Sequence, residues 1–316
     1  MSRKSALILG VSGQDGSLLA KFLLEKGYTV IGQTRSVEGS PLVNLDRLGV
    51  TQDIDVRSAD LMDQESVTQL IDSVDSDEIY NLSGQSSVGS SFLRPAETFK
   101  SHVLVVLNVL EAIRKSEQNT RFFNAGSGEC FGETARSGAD EDSPFSPLNP
   151  YAISKVTATM LVANYRNIYG IYGCTGFLFN HESHLRPEAF VTQKIVQGAA
   201  RIASGDREKL RLGNLDIRRD WGRASEYVDA MWRIVQQEVP EDFVIATGKS
   251  NSLQEFVSLT FQRFGLSWED HVVVDHSLFR ASDIHQNVGN PSKAAKQLEW
   301  RAMSDLPALV DHLIQG

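Results

Sequence analysis

Gly10-Val-Ser-Gly13-Gln-Asp-Gly16 stands directly after the apolar run Ala6–Leu9 and directly before a segment of helical period ending at Glu25. An apolar strand, a glycine turn and a helix in that order let the backbone approach a pyrophosphate closely. The phosphate charge then rests on the N–H groups of the helix N-terminus. Gly10, Gly13, Gln14, Asp15 and Gly16 are therefore the first cofactor-binding candidates.

Outward from this turn the chain alternates. Strand-like runs fall at Tyr28–Thr34, Ile54–Ala59, Glu78–Leu82, Arg121–Ala125 and Cys174–Phe179. Helix-like segments fall at Ser17–Glu25, Ala96–Lys115 and Asn149–Ile168. Strands separated by helices predict an α/β fold, a Rossmann-type doubly wound parallel sheet with helices on both faces. The expected division is 1–180 for the cofactor domain, helped by a later strand near 243–248. Residues 181–316 are then mostly a smaller, partly interleaved substrate-binding lobe. Ser36–Asn44 reads as a surface loop, Val228–Val235 as a helix, and Leu253 as the start of another.

Ligands of open α/β sheets bind at the carboxyl ends of the strands. The second strand ends in Gly32-Gln-Thr-Arg35 with no well-placed acidic residue, so Arg35 is expected to favour the 2′-phosphate of NADP. A solvated loop arginine is the alternative. Asp60 and Leu61 end the third strand and could meet the adenine, although Asp60 could equally cap a helix. Leu82, Ser83 and Gln85 end the fourth and could line the nicotinamide side, with Ser86 beside the substrate.

Tyr151 and Lys155 are four apart and share one face of a helix. A neighbouring ammonium can lower the tyrosine pKa and let the phenolate take a proton from a sugar hydroxyl. Ser127 and Glu129 are two apart, so if the fifth strand continues, both face the cleft. Tyrosine and lysine suffice for redox chemistry at a carbinol; a carboxylate beside them suggests a second proton transfer, and hence elimination. A loop-solvating role for Glu129 is the alternative.

These segments, with Asn180-His-Glu-Ser183, Arg219-Asp-Trp-Gly222 and Gly289-Asn-Pro-Ser-Lys293, make the chain resemble the GDP-mannose 4,6-dehydratases among the extended short-chain dehydrogenases/reductases. The likeness runs over nearly the whole length. It implies Tyr151 as base for the C4 hydroxyl, Lys155 as its partner, Ser127 as the hydroxyl donor and Glu129 as the C5 base. It implies His181 and Arg186 at the cofactor, and Asn180, Lys194, Leu212, Arg219, Arg280 and Asp283 at the nucleotide sugar. The implied reaction is transient oxidation at C4 by NADP, loss of water across C5 and C6, and return of the hydride to C6. Gly128 departs from the family, which usually carries a side chain there, and the loop after Arg35 lacks a second arginine. Alternatives are another GDP-sugar such as a GDP-heptose, or a 4-keto-6-deoxy sugar reductase or epimerase of the same fold.

The 316 residues carry a formal net charge of −9, which argues against a general nucleic-acid binder. No stretch is long and apolar enough for a membrane span. The two cysteines, Cys130 and Cys174, have neither metal nor disulfide spacing, so no metal is expected and a reducing cytoplasm is. The family resemblance implies self-association as a dimer or tetramer through the helices at 96–115 and 150–168, although their apolar faces could equally be core against the sheet.

Overall fold

The computed structural model describes residues 3–35, 42–116, 118–279 and 282–316. Six strands follow the sequence closely: β1 (Ser5–Leu9), β2 (Thr29–Thr34), β3 (Asp55–Ser58), β4 (Glu78–Asn81), β5 (Arg121–Ala125) and β6 (Gly173–Leu178). With Phe243–Ile245 they form one parallel sheet in the order Phe243–Ile245, β6, β5, β4, β1, β2, β3. β4 and β6 are buried throughout, as parallel strands covered on both faces require. The strand order reverses between β1 and β4, and this reversal opens the crevice in which such sheets bind ligands.

Two apolar layers clothe the sheet. On one side Leu7, Leu9, Ile79 and Phe122 pack under Val105, Val109 and Val162. On the other, Ile8, Tyr80 and Phe123 pack with Leu19 and Leu23 of α1 (Gln14–Glu25) and with Tyr227, Met231 and Ile234. The last three belong to the helix Ala224–Val235, so the second half of the chain returns to cover the sheet. A separate core joins the helices Val191–Ala203, Leu253–Arg263 and Leu306–Gln315 into the smaller lobe.

Buried Asp220 links the two parts. Its carboxylate accepts Thr247 N at 2.8 Å, Thr247 Oγ1 at 2.7 Å and Gly248 N at 2.9 Å, drawing the lobe onto the loop after Phe243–Ile245. The helical run expected at 96–115 is interrupted by one wider turn, a π-helix over Lys100–Leu104. Arg280 and most of the loop expected at Ser36–Asn44 lie outside the described residues.

Candidate active site

The glycine turn is built by steric necessity. Gly10 has a φ of 83°, and a Cβ there would lie 2.9 Å from Ser83 Cα. A Cβ on Gly16 would strike the Gly10 carbonyl oxygen. No side chain caps α1 at Gly13. The first-turn N–H groups are thus left for an anion.

Gln14 and Asp15 grip the neighbouring strand Asn180–Glu182. Gln14 Nε2 donates to the His181 carbonyl at 3.2 Å and Gln14 Oε1 accepts Ser183 Oγ at 2.9 Å. His181 Nε2 meets Asp15 Oδ2 at 2.9 Å, and its Nδ1 meets the Phe179 carbonyl at 2.7 Å. Both ring nitrogens face acceptors, so both carry hydrogen and the ring is an imidazolium. Burial opposes that charge, but Asp15 overrides it and raises the His181 pKa. Burial would likewise lift Asp15, yet His181, with Arg186 nearby, holds it down at about 2.

The candidate catalytic cluster sits at the ends of β4 and β5. The helix Pro150–Tyr169 begins with Asn149 as its cap and brings Tyr151 and Lys155 to the cleft. Lys155 Nζ donates to the Ala125 carbonyl at 2.8 Å and lies 5.7 Å from the Tyr151 ring. Burial pushes Lys155 down to about 8. Burial also pushes the Tyr151 hydroxyl up, opposed chiefly by its hydrogen bond with Ser127. The opposition comes from Ser127 and, to a smaller extent, Arg186, rather than from Lys155 as expected.

Ser127 and Glu129 reach the cleft by a different route from the one expected. β5 ends at Ala125, and the chain tightens into a 3₁₀ turn over Gly128–Phe131 with Ser127 as its cap. Glu129 N donates to Ser127 Oγ at 3.2 Å, and Glu129 Oε2 accepts Asn149 Nδ2 at 2.9 Å. A turn, not a strand pleat, sets the two side chains together. Gly128 is small because Phe179 lies against it: a Cβ would meet that ring at 2.8 Å.

A cleft of about 300 Å³ unites Asp15, Leu82, Ser83, Gln85, Ser86, Ser127, Glu129, Tyr151, Lys155, Asn180, His181, Arg186 and Arg219. Arg219 is buried and donates to the Ile284 carbonyl at 2.8 Å, while Trp221 packs on Phe256. Arg186 lies over the Phe190 ring at 3.9 Å. Arg35 is exposed at the end of β2, and Leu61 is buried beside Asn108. Asp60 folds back on Met62 N; the following helix, Gln64–Val74, is capped instead by Asp63. Lys194 donates to the Arg211 carbonyl, Leu212 is packed in the lobe core, and Asp283 stands outside the cleft lining.

Sequence reasoning missed two residues. His102 projects from the π turn, bonds the Gln85 carbonyl through Nε2 at 2.8 Å and sets its ring edge-on to Tyr151 at 5.4 Å. Burial, then the Lys155 charge, lowers its pKa well below the ordinary value. Asn149 is the second.

A sequence profile described as GDP-mannose 4,6 dehydratase matches residues 7–313. The chain belongs to that family. Among its members, GDP-mannose 4,6 dehydratase 1 of Arabidopsis thaliana is 40% identical over 322 residues, covering 99% of this chain and 89% of that one. The fold of the dehydratase family extends further. A dTDP-glucose 4,6-dehydratase of Bacillus anthracis, solved in complex with NAD, superposes with a TM-score of 0.85 at 18% identity, covering 99% of this chain and 96% of that one. RMD of Pseudomonas aeruginosa, solved with NADPH, superposes with a TM-score of 0.81 at 20% identity, covering 99% and 98%. Among the described residues no helix is long and apolar enough to cross a membrane.

Proposed function

We propose that this chain dehydrates GDP-mannose to GDP-4-keto-6-deoxymannose, with Tyr151 and Glu129 as its two proton-handling groups. The observation that carries this reading is their presence in one cleft, with Ser127 bonded to the Tyr151 hydroxyl and to the Glu129 backbone N–H. A site that only oxidises and reduces a carbinol needs just Tyr151 and its partner Lys155; the carboxylate provides for removal of a proton beside a new carbonyl.

A nicotinamide dinucleotide suits the residues present. The uncapped α1 N-terminus at Gly13 would take the pyrophosphate. Lys155 and Tyr151 would meet the nicotinamide ribose, and Arg35 would select the 2′-phosphate of NADP over NAD. Bound there, the nicotinamide supplies two-electron chemistry, accepting a hydride from the sugar and later returning it.

The protein's own part is proton transfer and orientation. Tyr151 takes the proton of the C4 hydroxyl, with Ser127 holding that oxygen. The C4 carbonyl acidifies the hydrogen on C5. Glu129 removes it, and then delivers a proton to the C6 oxygen as the C6–O bond breaks and the C5–C6 double bond forms. Water leaves; Glu129, reprotonated from solvent, then returns a proton to C5, while Tyr151 releases the C4 hydroxyl proton to solvent. Lys155 supports Tyr151 electrostatically once the pocket is filled. Asn180 and Arg219 would receive the nucleotide sugar.

Glu129→Gln tests this assignment. Turnover should fall by about 10²- to 10⁴-fold while oxidation at C4 persists. Full turnover by the variant would remove Glu129 from the role. We further propose that the exposed Phe99, Ile153 and Met160, on the helices of 95–115 and 150–169, are buried between two copies of the chain. Two buried free thiols suit a reducing, cytoplasmic setting.

A further inference from the structure

Asn149 is 2% exposed and bonds in two directions. Its Oδ1 accepts Ala152 N at 2.8 Å, capping the helix that carries Tyr151 and Lys155. Its Nδ2 donates to Glu129 Oε2 at 2.9 Å. The first bond dictates the second. A backbone N–H can only donate, so the amide oxygen must face the helix and the amide NH2 must face Glu129. Glu129 Oε2 is thereby held as an acceptor, and its companion Oε1 is left for a proton.

We infer that Asn149 is the positioning residue for Glu129. It binds one carboxylate oxygen, supports the charge of a base, and fixes the carboxylate to the same helix that presents Tyr151. The two proton-handling groups are separated by 22 positions, yet they share a single mechanical anchor. Proton traffic between C5 and the C6 oxygen then runs through Oε1: the C5–H bond breaks to form O–H, and that proton later leaves with the C6 hydroxyl as water. The inference rests on Glu129 being the C5 base.

Helix capping alone makes a different forecast. Asn, Asp and Ser cap helices almost equally, whereas Ala caps poorly. If Asn149 only caps, Asn149→Asp and Asn149→Ser should match the parent and Asn149→Ala should be worst, in step with melting temperature. If Asn149 positions Glu129, Asn149→Asp should be the worst for chemistry, since a like-charged acceptor replaces the donor. Asn149→Ser keeps the cap and loses the reach.

The experiment incubates full-length Asn149→Asp, Asn149→Ser, Asn149→Ala and Glu129→Gln with GDP-mannose and NADP in deuterated water. C5 deuterium incorporation is followed by NMR, C4 oxidation by nicotinamide absorbance in a single turnover, and folding by thermal melting. The expected result is a loss of C5 exchange of about 10- to 100-fold in Asn149→Asp and Asn149→Ser, from one charge-assisted hydrogen bond. C4 oxidation and melting temperature should stay near those of the parent in Asn149→Ser. Parental C5 exchange in Asn149→Ser, with Glu129→Gln inactive in exchange, would overturn the inference and leave Glu129 as base. Parental exchange in Glu129→Gln would overturn both.

Discussion

His181 is clamped between Asp15 and the Phe179 carbonyl, at 2.9 Å and 2.7 Å, and it ties the glycine turn to a strand 166 residues away. The ring also stacks on Tyr227 at a centroid distance of 4.7 Å. The glycine turn is therefore held in place by a histidine contributed from the far side of the cleft.

The pH dependence of this pair has a definite sign. The folded His181 pKa is raised, so its contribution is complete below the unfolded value of about 6.5 and is lost as pH rises through the folded value. The folded Asp15 pKa is lowered to about 2, so its contribution holds above the unfolded value of 3.8 and is lost as pH falls toward 2. Asp15→Asn should therefore be less stable than the parent by about 1–3 kcal/mol near pH 5 to 6, with the gap closing at alkaline pH. Urea melts of both proteins across pH measure the gap; a constant gap would show that the ion pair is not its source.

Lys155 illustrates activity set against stability. Burial lowers its folded pKa from 10.5 to about 8, so the ammonium is disfavoured in the fold. That penalty applies below about pH 8 and vanishes above the unfolded value of 10.5, with a size of up to about 3 kcal/mol. Lys155→Met should abolish turnover by at least about a hundredfold, yet melt no lower than the parent at pH 7. A clear drop in melting temperature would mean that the bond to the Ala125 carbonyl outweighs the desolvation of the charge.

Gly128 and Phe179 should be coupled. The Phe179 ring is backed by Phe131, stacked at 6.3 Å, so it has little room to yield to a Cβ at position 128. Gly128→Ala should cost about 1–3 kcal/mol by overpacking. Phe179→Leu should recover part of that cost in the double variant, giving an interaction energy above about 0.5 kcal/mol in a thermal or urea cycle. Strict additivity would place the strain elsewhere.

The strands and the glycine turn were legible because apolar runs and their spacing survive in one dimension. The turn at Ser127 was not: two residues at a strand end look alike whether the chain stays extended or tightens, and only the carboxylate type pointed to the site. His102 carried no signal, since a histidine inside a helical pattern reads as any other, and the π turn that aims it at Tyr151 arises from packing. Asn149 was visible as the start of a helix, but its second bond joins positions 20 apart in sequence. Asp60 resembled a cap, and the helix begins at Asp63 instead because Asp60 turns back on Met62. Leu212, expected at the sugar from family likeness, contributes its side chain to the lobe core.

The most direct measurement is the conversion of GDP-mannose by the unaltered protein with NADP in deuterated water, followed by NMR and nicotinamide absorbance together. A 4-keto-6-deoxy product with deuterium at C5 and no net reduction of the cofactor is the predicted result. Net consumption or accumulation of reduced cofactor, or a product that keeps its C6 hydroxyl, would contradict dehydration by Tyr151 and Glu129.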